Sequence, residues 1–158
     1  KALAYKTIVR PSLEYCSTVW NPYTMEQTRK IEMVQRRAAR YVTNRYHNTS
    51  SVTNMLDHLG WESWESRRTK AQLTMLYKIT NGLVAIPADR HLTPGHSVAT
   101  RSAHAKTYLQ PSTTTSYHRN SFFPRTVISW NQLPAELAEA PDFVSFKRGL
   151  GSLPSNLK

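Results

Sequence analysis

The chain has 158 residues, 39% of them apolar, a formal charge of +11, a pI near 10.1 and one cysteine. That is one domain, or one domain with an appendage, with a core that Trp20, Trp61, Trp64 and Trp130 can anchor. These values exclude a disulfide framework, a cysteine-based zinc site and a membrane-spanning helix, and the charge favours a polyanion, nucleic acid before an anionic membrane, as partner.

The chain starts at Lys1 without Met or a signal-peptide pattern, and reads as a piece of something longer. Leu3, Ile8, Val9, Leu13, Cys16 and Val19 recur at helical spacing and predict a helix over residues 2–19. Pro11 either kinks it or sits in the first turn of a second helix starting near Arg10. Cys16 is expected to be a buried, inert thiol. Trp20-Asn21-Pro22 ends the segment, because the residue before proline avoids the helical region.

Residues 24–44 organise the rest. Thr24 with Gln27 makes a capping-box start. At about 100° per residue, Ile31, Val34, Ala38, Tyr41 and Val42 fall on one side, with Arg29, Lys30, Arg36, Arg37 and Arg40 roughly opposite. A helix built only for solubility mixes signs more evenly, and here only Glu26 and Glu32 are acidic. The bland reading is a solvated face; the sharper one is a ridge laid against phosphates.

Asn48 to Ser51 is a polar turn, and the Asn48-Thr49-Ser50 glycosylation pattern is read as chance. Ser51 caps a short helix over 52–58, and Leu59-Gly60-Trp61 is a hinge. A long helix over 62–80 follows. Trp64, Ala71, Met75 and Ile79 lie on one side of it, Leu73 and Leu76 on another, which suits the central helix of a bundle. Arg67, Arg68 and Lys70 cluster where the helix dipole disfavours cations, which asks for an external anion such as phosphate.

Residues 83–120 are expected to be largely irregular, with short β pairing around 106–110 or an ordered loop docked on the bundle as the two alternatives. Residues 90–135 contain no acid, while Arg90, Arg101, Lys106, Arg119 and Arg125 are basic. His91, His96, His104 and His118 match no zinc spacing. Phe122, Phe123 and Trp130 read first as core and second as base-stacking rings. Asp142 caps a last helix with Phe143, Phe146 and Leu150 on one face.

No phosphate loop, dinucleotide fingerprint, HExxH or nucleophile elbow is present, and no paired carboxylates fit two-metal catalysis. Asp57-His58 makes a poor dyad. The chemistry on offer is binding, and neither a cofactor nor a metal is expected.

The wording of the chain adds a source. KTIVRPSLEYCSTVWNPY (6–23) and KIEMVQRRAARYVTNRY (30–46) resemble the segment just after the polymerase palm in LINE-type (non-LTR) retrotransposon reverse transcriptases, jockey-like and chicken-repeat-like elements above all. LGWESWESRRTKAQLTMLYKITNGL (59–83), SFFPRTVISWNQLPAEL (121–137) and FVSFKRGL (143–150) are similar to later blocks of the same region, in the same order. The resemblance implies a helical thumb that grips an RNA and DNA template–primer duplex, followed by a C-terminal extension. It implies the polymerase palm and fingers of a parent chain as further partners, an RNA-directed DNA polymerase as the parent, and an intracellular, nuclear setting when target DNA is engaged. The family's catalytic Tyr-Ala-Asp-Asp-type motif and upstream Asp have no counterpart here, and Cys16 alone cannot form the Cys/His knuckle of some elements.

The expectation is therefore a mostly α fold: a thumb-like bundle over 1–82 and an extension over 83–158, binding nucleic acid through Arg29, Lys30, Arg36, Arg37 and Arg40, with Arg67, Arg68 and Lys70 as a second patch. The alternative is a host-reused helical protein-interaction module, which would expose an apolar patch with few charges at its centre. A self-standing hydrolase or nuclease has little support.

Overall fold

Pro11 has no N–H to give to Thr7, and its ring crowds that carbonyl. The backbone answers one turn upstream. Helix α1 (Ala2–Ala4) widens into a π-turn over Tyr5–Val9, and the Arg10 N–H reaches back to the Tyr5 carbonyl before α2 (Arg10–Glu14) resumes with Pro11 in its first turn. The computed structural model describes residues 1–47, 49–95 and 104–153. Asn48 with its glycosylation pattern, His96 and Arg101 lie outside them. Among the described residues the fold is mostly α, as expected, with no strand.

The helix expected over 2–19 does not continue unbroken. Tyr15 is extended and Cys16 is left-handed at φ 52°, so a separate short α3 (Ser17–Trp20) follows. The Trp20 indole N–H donates back to the Tyr15 carbonyl across this corner. Cys16 is exposed, not buried, because the corner turns it out of the helical register that placed it among apolar residues. Leu3, Ile8 and Val19 are also exposed, at 73%, 66% and 84%, since the π-turn and the corner both shift the phase of their stripe.

Helix α4 (Met25–Thr43) starts as its residues dictate. The Thr24 hydroxyl accepts the Gln27 N–H at 3.4 Å, and Asn44 closes the far end in the left-handed region at φ 55°. Ser51 caps α5 (Val52–His58) by accepting from the Asn54 N–H. Gly60, at φ 60°, lets the Trp61 N–H return to the Leu56 carbonyl at 2.8 Å. Helix α6 (Trp64–Thr80) begins two residues later than expected, and Gly82, also at positive φ, follows its end.

The chain divides into two compact units, Lys1–Arg68 and Thr69–Lys158. Helix α6 gives its first turn to the first unit and the rest to the second, whereas the sequence assigned it whole to a part ending near residue 82. Each unit has its own core. In the first unit Tyr5, Ala39, Val52, Met55 and Trp61 form the core, with the Tyr5 and Trp61 rings stacked at 4.4 Å. In the second, Leu73, Leu76 and Tyr77 of α6 pack with Leu92, Val127, Trp130, Leu137, Phe146 and Leu150.

The second unit is completed by a 3₁₀ turn (Ala88–Arg90) and by α7 (Ser116–Arg119), α8 (Phe122–Asn131), α9 (Ala135–Ala138) and α10 (Phe143–Ser152), the last capped by Asp142. Both alternatives for the loop are met in part: it pairs near residue 108, and it docks, but on α8 rather than on the bundle over 1–82. Its β pairing is a single bridge, Pro94 to Tyr108. Asn131 holds the Tyr108 backbone from both sides, at 3.0 and 2.7 Å, and the Trp130 indole N–H donates to the Lys106 carbonyl at 2.8 Å. Trp130 is fully buried, while Phe122 and Phe123 lie half-buried against this core.

Candidate nucleic-acid interface

The cation helix sits differently from its apolar pattern. Its buried line is Gln35 and Ala39, beside a half-buried Glu32. The Gln35 amide donates to the Glu62 carbonyl at 2.9 Å and accepts from the Tyr5 hydroxyl at 3.2 Å. Glu32 accepts the Trp64 N–H at 3.1 Å and so caps the start of α6 from another helix. These bonds turn α4 by roughly a quarter turn from the orientation expected at about 100° per residue. Tyr41 is thereby exposed, and Ile31, Val34 and Ala38 become a half-buried shoulder.

The rotation sorts the cations. Arg29, Lys30 and Arg37 are exposed. Lys30 pairs with Glu26 at 2.7 Å, an i,i+4 contact open to solvent and therefore weak. Arg36 and Arg40 are half-buried on the opposite shoulder, and the Arg40 Nε is covered without an acceptor among the described residues. Arg29, Arg36 and Arg40 follow one row along the helix, on the order of 16 Å long by the helical rise. Arg37 and Lys30 lie beside it. The result is a continuous positive edge.

The second patch does not form as expected. Arg67 is ion-paired to Glu14, lies over the Trp64 ring at 5.6 Å, and is half-buried. Burial, then the neighbouring Arg10, lower its pKa to about 10. Glu14 also meets Arg10 at 3.4 Å. Arg68 is only 3% exposed. Burial depresses its pKa, and the nearby Glu32 and Glu65 carboxylates oppose that shift. Burial likewise raises the pKa of Glu32, against the Trp64 N–H, Arg68 and Arg36. The unfavourable placement of cations at the start of α6 is met from inside the first unit by Glu14 and Glu32, so the external anion invoked for it is not required. Lys70, in the second unit, is half-buried. No spacing rule links Glu14 or Glu32 to residues 64–68, which is why sequence reasoning missed them.

In the second unit the histidines separate. His104 is buried, and its Nε2 lies 3.0 Å from the Trp130 carbonyl, which can only accept, so Nε2 carries the hydrogen. His91 is exposed and stacks on Phe123 at 4.5 Å and 11°. His118 is exposed on α7. Among the described residues no three His, Cys, Asp or Glu side chains gather as a metal site would require. No helix among the described residues is long and apolar enough to cross a membrane. No known protein family, curated protein or solved structure matches the chain.

Proposed function

We propose that this chain is a nucleic-acid-gripping module of the thumb kind, from the region after the palm of a LINE-type reverse transcriptase, and that it acts on a template–primer duplex without a catalytic centre of its own. The observation that carries the reading is the positive edge of α4. Arg29, Lys30 and Arg37 are exposed, Arg36 and Arg40 flank them, and the carboxylates beside them are Glu26, paired to Lys30, and half-buried Glu32, which feels the charge of Arg36. Arginine forks suit phosphate oxygens bidentately, and a rigid helix holds them in a row. The five sequence blocks, met in order, supply the source.

The test is binding of a labelled RNA–DNA hybrid over a salt series. With about four to six phosphates neutralised, log K should fall against log salt with a slope of roughly −3 to −5. Replacing Arg29, Lys30 and Arg37 by Gln should flatten that slope by roughly 2 to 3 and leave helix content unchanged, since Gln is a good helix former. An unaltered slope removes α4 as the grip.

A second reading rests on a different observation. Leu3, Ile8, Tyr15, Val19 and Met25 are all at least 66% exposed within the first 25 residues. Apolar surface of this kind suits a protein partner. In the thumb reading that partner is the palm and fingers of the parent chain; in the alternative it is a host protein docked on a reused module. Salt-insensitive binding to protein with no affinity for duplex would favour the alternative.

A further inference from the structure

We propose that the second unit holds an unpaired nucleic-acid strand on the exposed ring of His91. This rests on the nucleic-acid reading above and extends it from the duplex to a single strand.

The ring is a built platform. Phe123 packs against the second core, and Phe122 meets it edge-on at 5.0 Å, so its position is fixed from behind. His91 lies nearly parallel on Phe123, 4.5 Å away, and is itself exposed. Its backbone is pinned on both sides. The His91 N–H donates to the Ala88 carbonyl at 3.1 Å, and the following Leu92 is buried in the core and donates to the same carbonyl at 2.8 Å. A ring fixed in place loses little freedom when a base stacks on it.

The surroundings have the sign a phosphate backbone needs. Arg90 precedes His91 and is exposed. Along the chain, α7, which comes just before α8 and Phe123, carries exposed His118 and Arg119. Asp89 is the one nearby carboxylate in the sequence, because residues 90–135 contain none. A flat ring bordered by cations is how proteins hold unpaired strands: each base offers a π face, and the charges follow the backbone. Bases inside a duplex cannot reach such a ring. A protein partner would need more apolar area than one imidazole offers.

The test is fluorescence anisotropy of the full chain with a labelled 12-nucleotide single-stranded RNA and, separately, with the RNA–DNA hybrid. His91→Ala should weaken single-strand binding about tenfold, the loss expected for one stacked base, and leave hybrid binding within about twofold. His91→Tyr, which keeps a flat ring, should restore the single-strand affinity. His91→Ala that binds the single strand as well as the unaltered chain overturns the site while the hybrid binding stands. A chain that binds neither probe overturns both readings. Displacement of the single strand by poly-glutamate, together with an unaffected His91→Tyr and an equally unaffected His91→Ala, would assign the patch to acidic protein and end the proposal.

Discussion

Glu32 does two things at once. It caps α6 through the Trp64 N–H, and with Glu65 it acts on buried Arg68. Burial raises its pKa in the folded chain. A raised acid binds its proton more tightly folded than unfolded, so its contribution to stability is fullest at low pH and is lost as pH rises through the folded value. Glu32→Gln keeps an acceptor for the Trp64 N–H and does not titrate. The stability of Glu32→Gln relative to the unaltered chain should therefore improve as pH rises from about 4 to about 7, read by urea melts at both ends. A difference that stays constant would show that Glu32 is not held in a desolvated site. At this scale the sequence was partly legible. Thr24, Ser51 and Asp142 announced their caps by residue type alone, because a capping side chain bonds within three residues. Arg67, Arg68 and Cys16 were not legible, because Glu14, Glu32 and the corner at Tyr15 act on them from outside any helical period.

Among the elements, α4, α5 and α6 lie where periodicity and caps put them, within two residues at each end. The orientation of α4 was the part that could not be read. A helical wheel ranks residues by hydropathy, but Gln35 and Glu32 are drawn inward by hydrogen bonds to Glu62 and Trp64. Hydrogen bonding, which a wheel of hydropathies does not weigh, sets which side of α4 turns inward. The end of α5 is more local. Gly60 sits at φ 60°, and a Cβ there would meet nothing within 4 Å. Gly60→Ala should therefore cost about 1 kcal/mol, the left-handed penalty alone, in thermal or urea unfolding. A much larger loss would show that the hinge also needs the space.

For the molecule as a whole, the division between the units falls within α6: residues 64–68 belong to the first, and Leu73, Leu76 and Tyr77 join the core of the second. The sequence signalled this by placing apolar residues on more than one side of α6, yet it gave no mark at residue 68, since a helix needs no change of composition where one core yields to the next. Trp130 is the keystone of the second unit, buried among Phe146 and Val127 and bonded to Lys106. Trp130→Ala should lower stability by about 3 to 5 kcal/mol and release the loop it holds, seen as new protease cleavage between 104 and 115. Trp130→Phe should recover most of the packing but not the indole bond, and leave about 1 kcal/mol of the loss. Unchanged stability in Trp130→Ala would show that Trp130 does not hold the second core.

The exposed corner at Cys16 makes the molecule its own reporter. It is the one thiol in the chain, so a maleimide dye will load at one position, next to the apolar residues Tyr15, Val19 and Trp20. A polarity-sensitive dye there should emit bluer when a protein partner covers that surface. It should stay unchanged when a duplex occupies the edge of α4. One fluorophore thus separates, in colour, the two kinds of partner that this basic chain could take.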